Sequence, residues 1–476
     1  MLFHTPEFIA LMLVSLALYY AFPRWRVPVL TVANMIFYVV AGVGNLLLFL
    51  AMTAFTYFCS KALQGPRGRF FLWFSIVVNV ANLLFFKYTT FLIRSIENTF
   101  SVQLLTQDSF MLKIVLPIGI SFYTFQMIAY LVDVYKKRWE PAHSLLRFWV
   151  FISFFAHLVA GPIMRGKEFM PQIDNLTKIR FSAGNFRLGA FFLSLGIFKK
   201  VVLADYITPH VDSFFANTAG LSGSEGWVAA YLFAFQIFFD FSAYSEMALG
   251  IAYFFGMELA VNFRTPYLSQ NPTEFWRRWH ITLSNWIKDY IYIPLGGSRK
   301  GEVRQYTNLF IAMTISGIWH GASWTFVAWG MFYGALATIH KIYIMLKEKL
   351  GLQSLDKSRI YQGIAIIVFF HITCIAWVLF RVNGLREALS LIGRMLSPSA
   401  FNPAHFAGLH FFLFIVALLF ALHIGEYFLH RNRSELGVWW HRYFPAPVRA
   451  VLYTAIAAIL ILYLKGEQNT FIYFQF

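Results

Sequence analysis

The chain has 476 residues, 59% hydrophobic and 20% aromatic, with only 13% charged. A soluble domain carries about 25% charged residues, so this chain cannot cover a water-facing surface, and lipid is the solvent for much of it. The net charge of +17 does not point to nucleic acid. The Lys and Arg residues fall in short breaks between apolar runs, as in cytoplasmic loops that face anionic lipid, and do not form one basic face.

Residues 1–8 hold no basic stretch, and no small-residue cleavage site follows the apolar run 8–22. The run is therefore expected to be an uncleaved first span with the N-terminus outside, Pro23 ending it and Arg24 and Arg26 holding that end inside. Further spans are expected at about 27–41, 46–60, 70–88 and 111–134. Lys61, Arg67 and Arg69, and then Lys136, Lys137 and Arg138, mark alternate ends as cytoplasmic. The break after 70–88 reads as an outer polar loop with Glu97, Gln103 and Asp108. Several runs are shorter than the ~20 residues of an untilted span, which suits tilted helices in a thinned bilayer.

From residue 145 the pattern is interrupted. The run 145–160 ends in Ala160-Gly161-Pro162, and the runs 184–204, 227–256 and 307–346 carry Gly, Asp, Glu, Lys or His. Broken helices at membrane depth need protein or a water-filled cavity beside them, so 111–346 is read as a core enclosing a cavity. Clearer spans follow at 361–380, 408–428 and 447–464. Arg431, Arg433, Arg442 and Arg449 put the start of the last one inside and the tail 471–476 outside. With no solenoid-period repeat, linker or low-complexity tract, one membrane domain over 1–476 is expected. Both termini would then face the periplasm.

The chemistry concentrates between Phe275 and Gly330. His320 lies in Trp319-His320-Gly321, and Trp324 is one turn further on and expected on the same face. Ionisable groups at membrane depth are functional candidates, and a neutral imidazole can take a proton from a hydroxyl near pH 7. A histidine that only hydrogen-bonds a neighbouring helix is the structural alternative. His280 follows Trp276 by four residues and Arg277 by three, which would put all three on one face of an amphipathic helix with Arg278 and Lys288. A purely interfacial histidine is the alternative there.

A metal is not expected. His280 and His320 have neither His-x-x-x-His spacing nor a neighbouring Glu, and Cys59 and Cys374 lie in apolar runs. No Gly-x-Ser-x-Gly elbow or Gly-Lys-Ser/Thr loop occurs. Asp240, like Asp133 and Asp205, reads chiefly as part of a fold-holding network with a basic or Tyr partner. The loop from Gly296 to Gly301, with Ser298, Arg299 and Lys300, suits a phosphate-rich ligand at the inner face, or simply anionic headgroups. Broken helices with buried acids also describe secondary carriers. Against a carrier stand the lack of inverted hydropathy repeats and the concentration of Trp, His and Arg in one block. A non-catalytic export scaffold is a third reading.

At these residues the chain resembles the bacterial membrane-bound O-acyltransferase family. The likeness runs in order through Leu116–Tyr123, Asp133-Val134-Tyr135, His157–Pro162, Phe239–Ser242, the block 275–301, Trp319-His320-Gly321 and the tail Phe471–Phe476. It is most specific in the block and the Trp-His-Gly triplet. The resemblance implies an all-α polytopic membrane fold: a ring of about 11 or more tilted transmembrane helices around a central funnel, with re-entrant helices. It implies that His320 is the essential histidine and His280 a second one. In the sugar-acetylating branch it implies acetyl-CoA as donor, with Arg277, Arg278, Arg299 and Lys300 as candidate donor-binding residues. Acetyl would pass to a periplasmic acetyltransferase or esterase-like partner within a polymer export complex in the inner membrane. The polymer would be alginate or another exported polysaccharide, with cellulose and peptidoglycan as alternatives. Related systems relay acyl through a C-terminal tyrosine, here Tyr473. The short basic region 395–447 does not choose among these polymers.

Overall fold

Among the described residues the apolar runs carry helices, and there is no strand. This computed structural model describes residues 3, 5–106, 109, 112, 115–449, 451, 452, 454, 455, 471 and 472, the side chains of Arg433, Ser434 and His441 excepted. Most of the expected span 447–464, Asp108 and Tyr473 lie outside the described residues. The chain divides into two compact units, one of residues 1–196 and 244–261, the other of 197–243 and 262–476.

The first unit contains α1 (Pro6–Ala21), α2 (Arg26–Val39), α3 (Val43–Ala62), α4 (Gly68–Phe100), α5 (Ile120–Tyr135), α6 (Leu145–Ser153), α7 (Phe155–Leu158), α8 (Gly166–Asp174) and nearly all of α9 (Ala183–Ile197). At α1 and α2 the structure departs from the expected pair of spans. The two are bent by 119° at Phe22–Pro23, and Arg26 is buried. Its guanidinium donates to the carbonyls of Tyr19, Leu176 and Ile179 at 2.9, 2.6 and 2.6 Å. Arg26 therefore ties the bend to the chain 150 residues away, and only Arg24 is left as an interfacial charge. The carbonyls left free at a broken helix end need donors, and a buried guanidinium supplies them.

Two other readings change. Helix α4 runs on to Phe100, so Glu97 belongs to it and accepts from the backbone N–H groups of Leu104 and Leu105. Helix α5 begins only at Ile120 and buries most of its residues, so it is a core helix shorter than the run 111–134. Gly119 precedes it at φ +74°, and a Cβ there would lie 2.7 Å from the Leu158 carbonyl oxygen. Glycine thus permits the contact that brings the Pro117-Ile118-Gly119 and His157-Leu158 segments together.

The second unit holds α10 (Asp205–Ala216), the first two thirds of α11 (Gly223–Phe254), α12 (Pro272–Trp276), α13 (Ile281–Ile287), α14 (Glu302–His320), α15 (Trp324–Lys349), α16 (Arg359–Arg381), α17 (Leu385–Met395), α18 (His410–Arg431) and α19 (Arg433–Tyr443). Helices α14 and α15 form a tight hairpin. A Cβ on Gly317 would lie 2.4 Å from the Phe326 carbonyl oxygen, and one on Gly330 would lie 2.7 Å from that of Met313. Small residues let the two backbones approach closely, as membrane helices require.

Among the described residues, α3, α4, α11, α16 and α18 are long and apolar enough to cross a membrane, and the bent α1–α2 pair adds a sixth candidate. The faces differ. The most apolar stretch of α11 is 94% buried, while those of α4 and α18 are 22% and 17% buried. Exposed Phe70, Trp73, Phe74 and Val77 on α4 and Phe411, Phe414 and Leu418 on α18 form the surface that only lipid suits.

Candidate active site

His320 is the last residue of α14, and it is buried at 5% exposure. The helix stops because Gly321 takes an extended conformation, and a Cβ there would meet the Phe326 ring at 2.1 Å. The glycine of the Trp-His-Gly triplet is thus a local steric requirement. Helix α15 restarts at Trp324 with the Ser323 hydroxyl accepting from the Thr325 N–H, a capping arrangement. Because the helix is interrupted, Trp324 does not share a face with His320 as expected; it is 56% exposed. The imidazole is walled instead by Trp319, Trp329 and Phe380, with ring centroids 4.8, 5.0 and 5.2 Å away. Trp329 and Phe380 were not legible as site residues. They come from other helices, and nothing in their own neighbourhoods marks them.

His280 is fully buried, but the shared helical face with Trp276 and Arg277 does not exist. Helix α12 ends at Trp276, and His280 sits in the left-handed region at φ +40° before α13 begins. A non-glycine residue there is uncommon and strained, and such strain collects at functional sites. Surrounding bonds impose it: the Ile281 N–H donates to the Asn262 carbonyl at 2.9 Å, the Arg264 N–H to that of Arg278 at 2.9 Å, and the Thr282 hydroxyl to Asn262 Oδ1 at 2.6 Å. The ring stands perpendicular to Phe241, 4.8 Å away, and 6.1 Å from Trp319. Trp319 therefore lies against both histidines, which are 40 residues apart in sequence. His280→Gln keeps hydrogen-bonding capacity without an imidazole. Its loss of acyl transfer is expected to fall short of the ~10²-fold typical for a general base; a rate as low as that of a His320 variant, in folded protein, would show that both rings do chemistry.

A cleft of about 370 Å³ opens beside this centre. Arg277, Lys288 and Lys341 bring three cations to it, Ser298 and Gln305 add polar groups, and Trp276 and Ser316 line it. Ser316 is one turn before His320 on α14, and Trp276 packs on Trp329 at 5.8 Å, so the lining is continuous with the walls of the histidine. A second hollow of about 530 Å³ shares Arg277 and Lys341, but it is also lined by Glu274 and Glu348, and its Lys347 is paired with Asp356. Clustered cations beside apolar walls suit a phosphate-rich ligand with a short apolar end. Of the four candidate donor-binding residues, Arg277 lines the cleft. Arg278 is paired with Glu274 at 2.6 Å. Arg299 and Lys300 are exposed on the loop beside Ser298. Lys341 was legible only as a cation inside an apolar run.

Asp240 has the basic partner expected of it. Lys200 Nζ is 2.8 Å from Asp240 and 2.9 Å from Asp205. The preceding Lys199 pairs separately with Glu426 at 2.6 Å. Both lysines are buried, and both lie in a π-helical turn over 198–204, a wide turn frequent at functional sites. Near this cluster, Phe471 and Ile472 of the C-terminal segment are buried.

The model of the membrane-bound O-acyltransferase family matches residues 140–382, just over half of the chain. A probable alginate O-acetylase AlgI from Pseudomonas putida is 33% identical, over 100% of both chains. A peptidoglycan O-acetyltransferase from Helicobacter pylori is 35% identical over 79% of this chain and 75% of its own. A teichoic acid D-alanyltransferase from Streptococcus thermophilus is 26% identical over 55% of this chain and 68% of its own. The matched region includes His280, Trp319, His320, Trp329 and Phe380.

Proposed function

The chain belongs to the membrane-bound O-acyltransferase family, and as such an O-acyltransferase we propose that it moves acetyl from cytoplasmic acetyl-CoA across the membrane for O-acetylation of an exported polysaccharide such as alginate. The observation that carries this reading is the buried His320, packed on Trp319 and Trp329, beside a cleft with three cations. Coenzyme A is phosphate-rich, and the cleft offers point charges for it. Arg277, Lys288 and Lys341 hold the donor, and Arg299 and Lys300 on the exposed loop extend the attraction outward.

His320 accepts the proton of an acceptor hydroxyl. The oxygen attacks the thioester carbonyl, the carbon–sulfur bond breaks, and the coenzyme A thiolate leaves with the proton that His320 returns. The hydroxyl is that of Tyr473 in a relay, or one brought by a periplasmic acetyltransferase or esterase-like partner within a polymer export complex. The funnel within a ring of tilted helices, the inner-membrane location and periplasmic termini belong to the same proposal: they separate a cytoplasmic donor from an external acceptor. Peptidoglycan is the second reading of the polymer, supported by the 35% identity to the peptidoglycan enzyme.

Radiolabelled acetyl-CoA supplied to inverted membrane vesicles carrying the protein and its partner tests the proposal. Label is expected in the acceptor with release of free coenzyme A. Solute uptake without acyl turnover would make the protein a carrier, and neither would make it a scaffold.

A further inference from the structure

Asp240 uses its two carboxylate oxygens for different purposes. Oδ1 lies 2.8 Å from Lys200 Nζ, and Oδ2 accepts from the backbone N–H of Ile472 at 2.6 Å. Lys200 has a second carboxylate at 2.9 Å, that of Asp205, so its charge is balanced without Asp240. A buried ammonium needs one counter-ion; the additional carboxylate has one oxygen left over, and that oxygen meets the tail. The buried Lys199 and Lys200, adjacent in the π-helical turn 198–204, serve separate carboxylates.

The next residue on α11 completes the seat. The Phe241 ring lies 6.0 Å from that of Phe471 and, edge-on, 4.8 Å from the His280 ring. Rings therefore run from Phe471 through Phe241, His280 and Trp319 to His320, with successive centroids 6.0, 4.8, 6.1 and 4.8 Å apart. We propose that Asp240 is a positioning residue: held by Lys200, its carboxylate receives the peptide N–H of Ile472 and seats the C-terminal segment of the chain beside the two histidines. The carboxylate reads backbone, so it fixes where the segment enters without selecting the side chain at 472, while Phe471 supplies the apolar contact. A charge-assisted hydrogen bond to a buried carboxylate is about twice as strong as a neutral one, which suits it to holding this segment in place. The seating stands on geometry alone; only its consequence for rate rests on the acetyl-transfer reading above.

The full chain carrying Cys59→Ala, Cys374→Ala and Ile472→Cys, in detergent, provides the test. Reactivity of the introduced thiol toward N-ethylmaleimide reports the seat without substrate. The parent is expected to label slowly, because position 472 is buried. Adding Asp240→Ala should speed labelling tenfold or more. Asp240→Asn keeps an acceptor oxygen and should restore most of the protection. Asp205→Asn removes the other partner of Lys200 but leaves the acceptor, and should also stay protected. Equal labelling in the parent and Asp240→Ala would overturn the proposal, as would release by Asp205→Asn as fast as by Asp240→Ala. If Asp240→Ala does not accumulate in folded form, Ile472→Pro removes the bond from the tail side, with Phe471→Cys as the reporter; slow labelling there would likewise overturn it. In acyl transfer, Asp240→Ala should lose tenfold or more with donor binding unchanged. If the parent itself transfers no acetyl while the labelling pattern holds, the functional reading fails and the seat remains.

Discussion

His320→Ala is expected to abolish acetyl transfer while leaving expression and membrane insertion intact. The imidazole stands at the end of α14 at 5% exposure, enclosed by Trp319, Trp329 and Phe380. The enclosing rings carry no general base of their own. Loss of a general base costs about 10² to 10⁴ in rate, and more where the residue acts as part of a unit. Insertion should survive because the α14–α15 hairpin is held by Gly317 and Gly330 against the opposing backbone, and the imidazole is not needed for that. The measurement is polymer acetylation in cells beside transfer from labelled acetyl-CoA in membranes, normalised to inserted protein. Near-normal acetylation of the polymer by His320→Ala would remove His320 from the reaction.

Tyr473→Phe is expected to eliminate polymer acetylation with acetyl-CoA binding retained. The substitution removes one oxygen and keeps the ring, so a residue that only anchors the chain at a lipid boundary would tolerate it, since Phe also suits that boundary. A relay would not, because the hydroxyl oxygen is the atom that carries acetyl. Phe471 and Ile472 are 2% and 3% exposed, which removes boundary anchoring as the role of those two residues and brings the segment preceding Tyr473 to the wall of His280. Donor binding by equilibrium dialysis, paired with acetyl content of the polymer, separates the two roles. Wild-type polymer acetylation would leave His320 to act on a hydroxyl delivered by the partner.

Composition and the positions of the apolar runs were enough to establish a helical membrane protein, since a chain with 13% charged residues cannot be solvated otherwise. The two histidines were legible for the same reason: an imidazole among tryptophans at membrane depth is costly unless it has a task. Asp240 could also be given a basic or Tyr partner, because a buried carboxylate must be paired, and the structure makes that partner Lys200. Local helical reasoning failed where a helix stops. Trp324 and His320 are separated by the extended Gly321, and Trp276 and His280 by the end of α12. Face assignments assume an unbroken 3.6-residue period, and both breaks are set by contacts from outside the helix that ends: Phe326 against Gly321, and Asn262 against Ile281 and Thr282.

Arg26 illustrates the same division. Its charge read as an interfacial marker, yet carbonyls 150 residues away bury it, and no rule based on sequence neighbourhood can see such a partner. The sequence by itself determined the solvent, the helical class, and which side chains are candidates for chemistry, because these follow from the transfer cost of each residue type. Only the tertiary structure decided that Trp319 lies against both histidines, that Arg277, Lys288 and Lys341 share one cleft, and that the C-terminal end is received by Asp240. Those are distances between residues far apart in the chain, fixed by packing and by the satisfaction of buried polar groups, which local pattern does not encode.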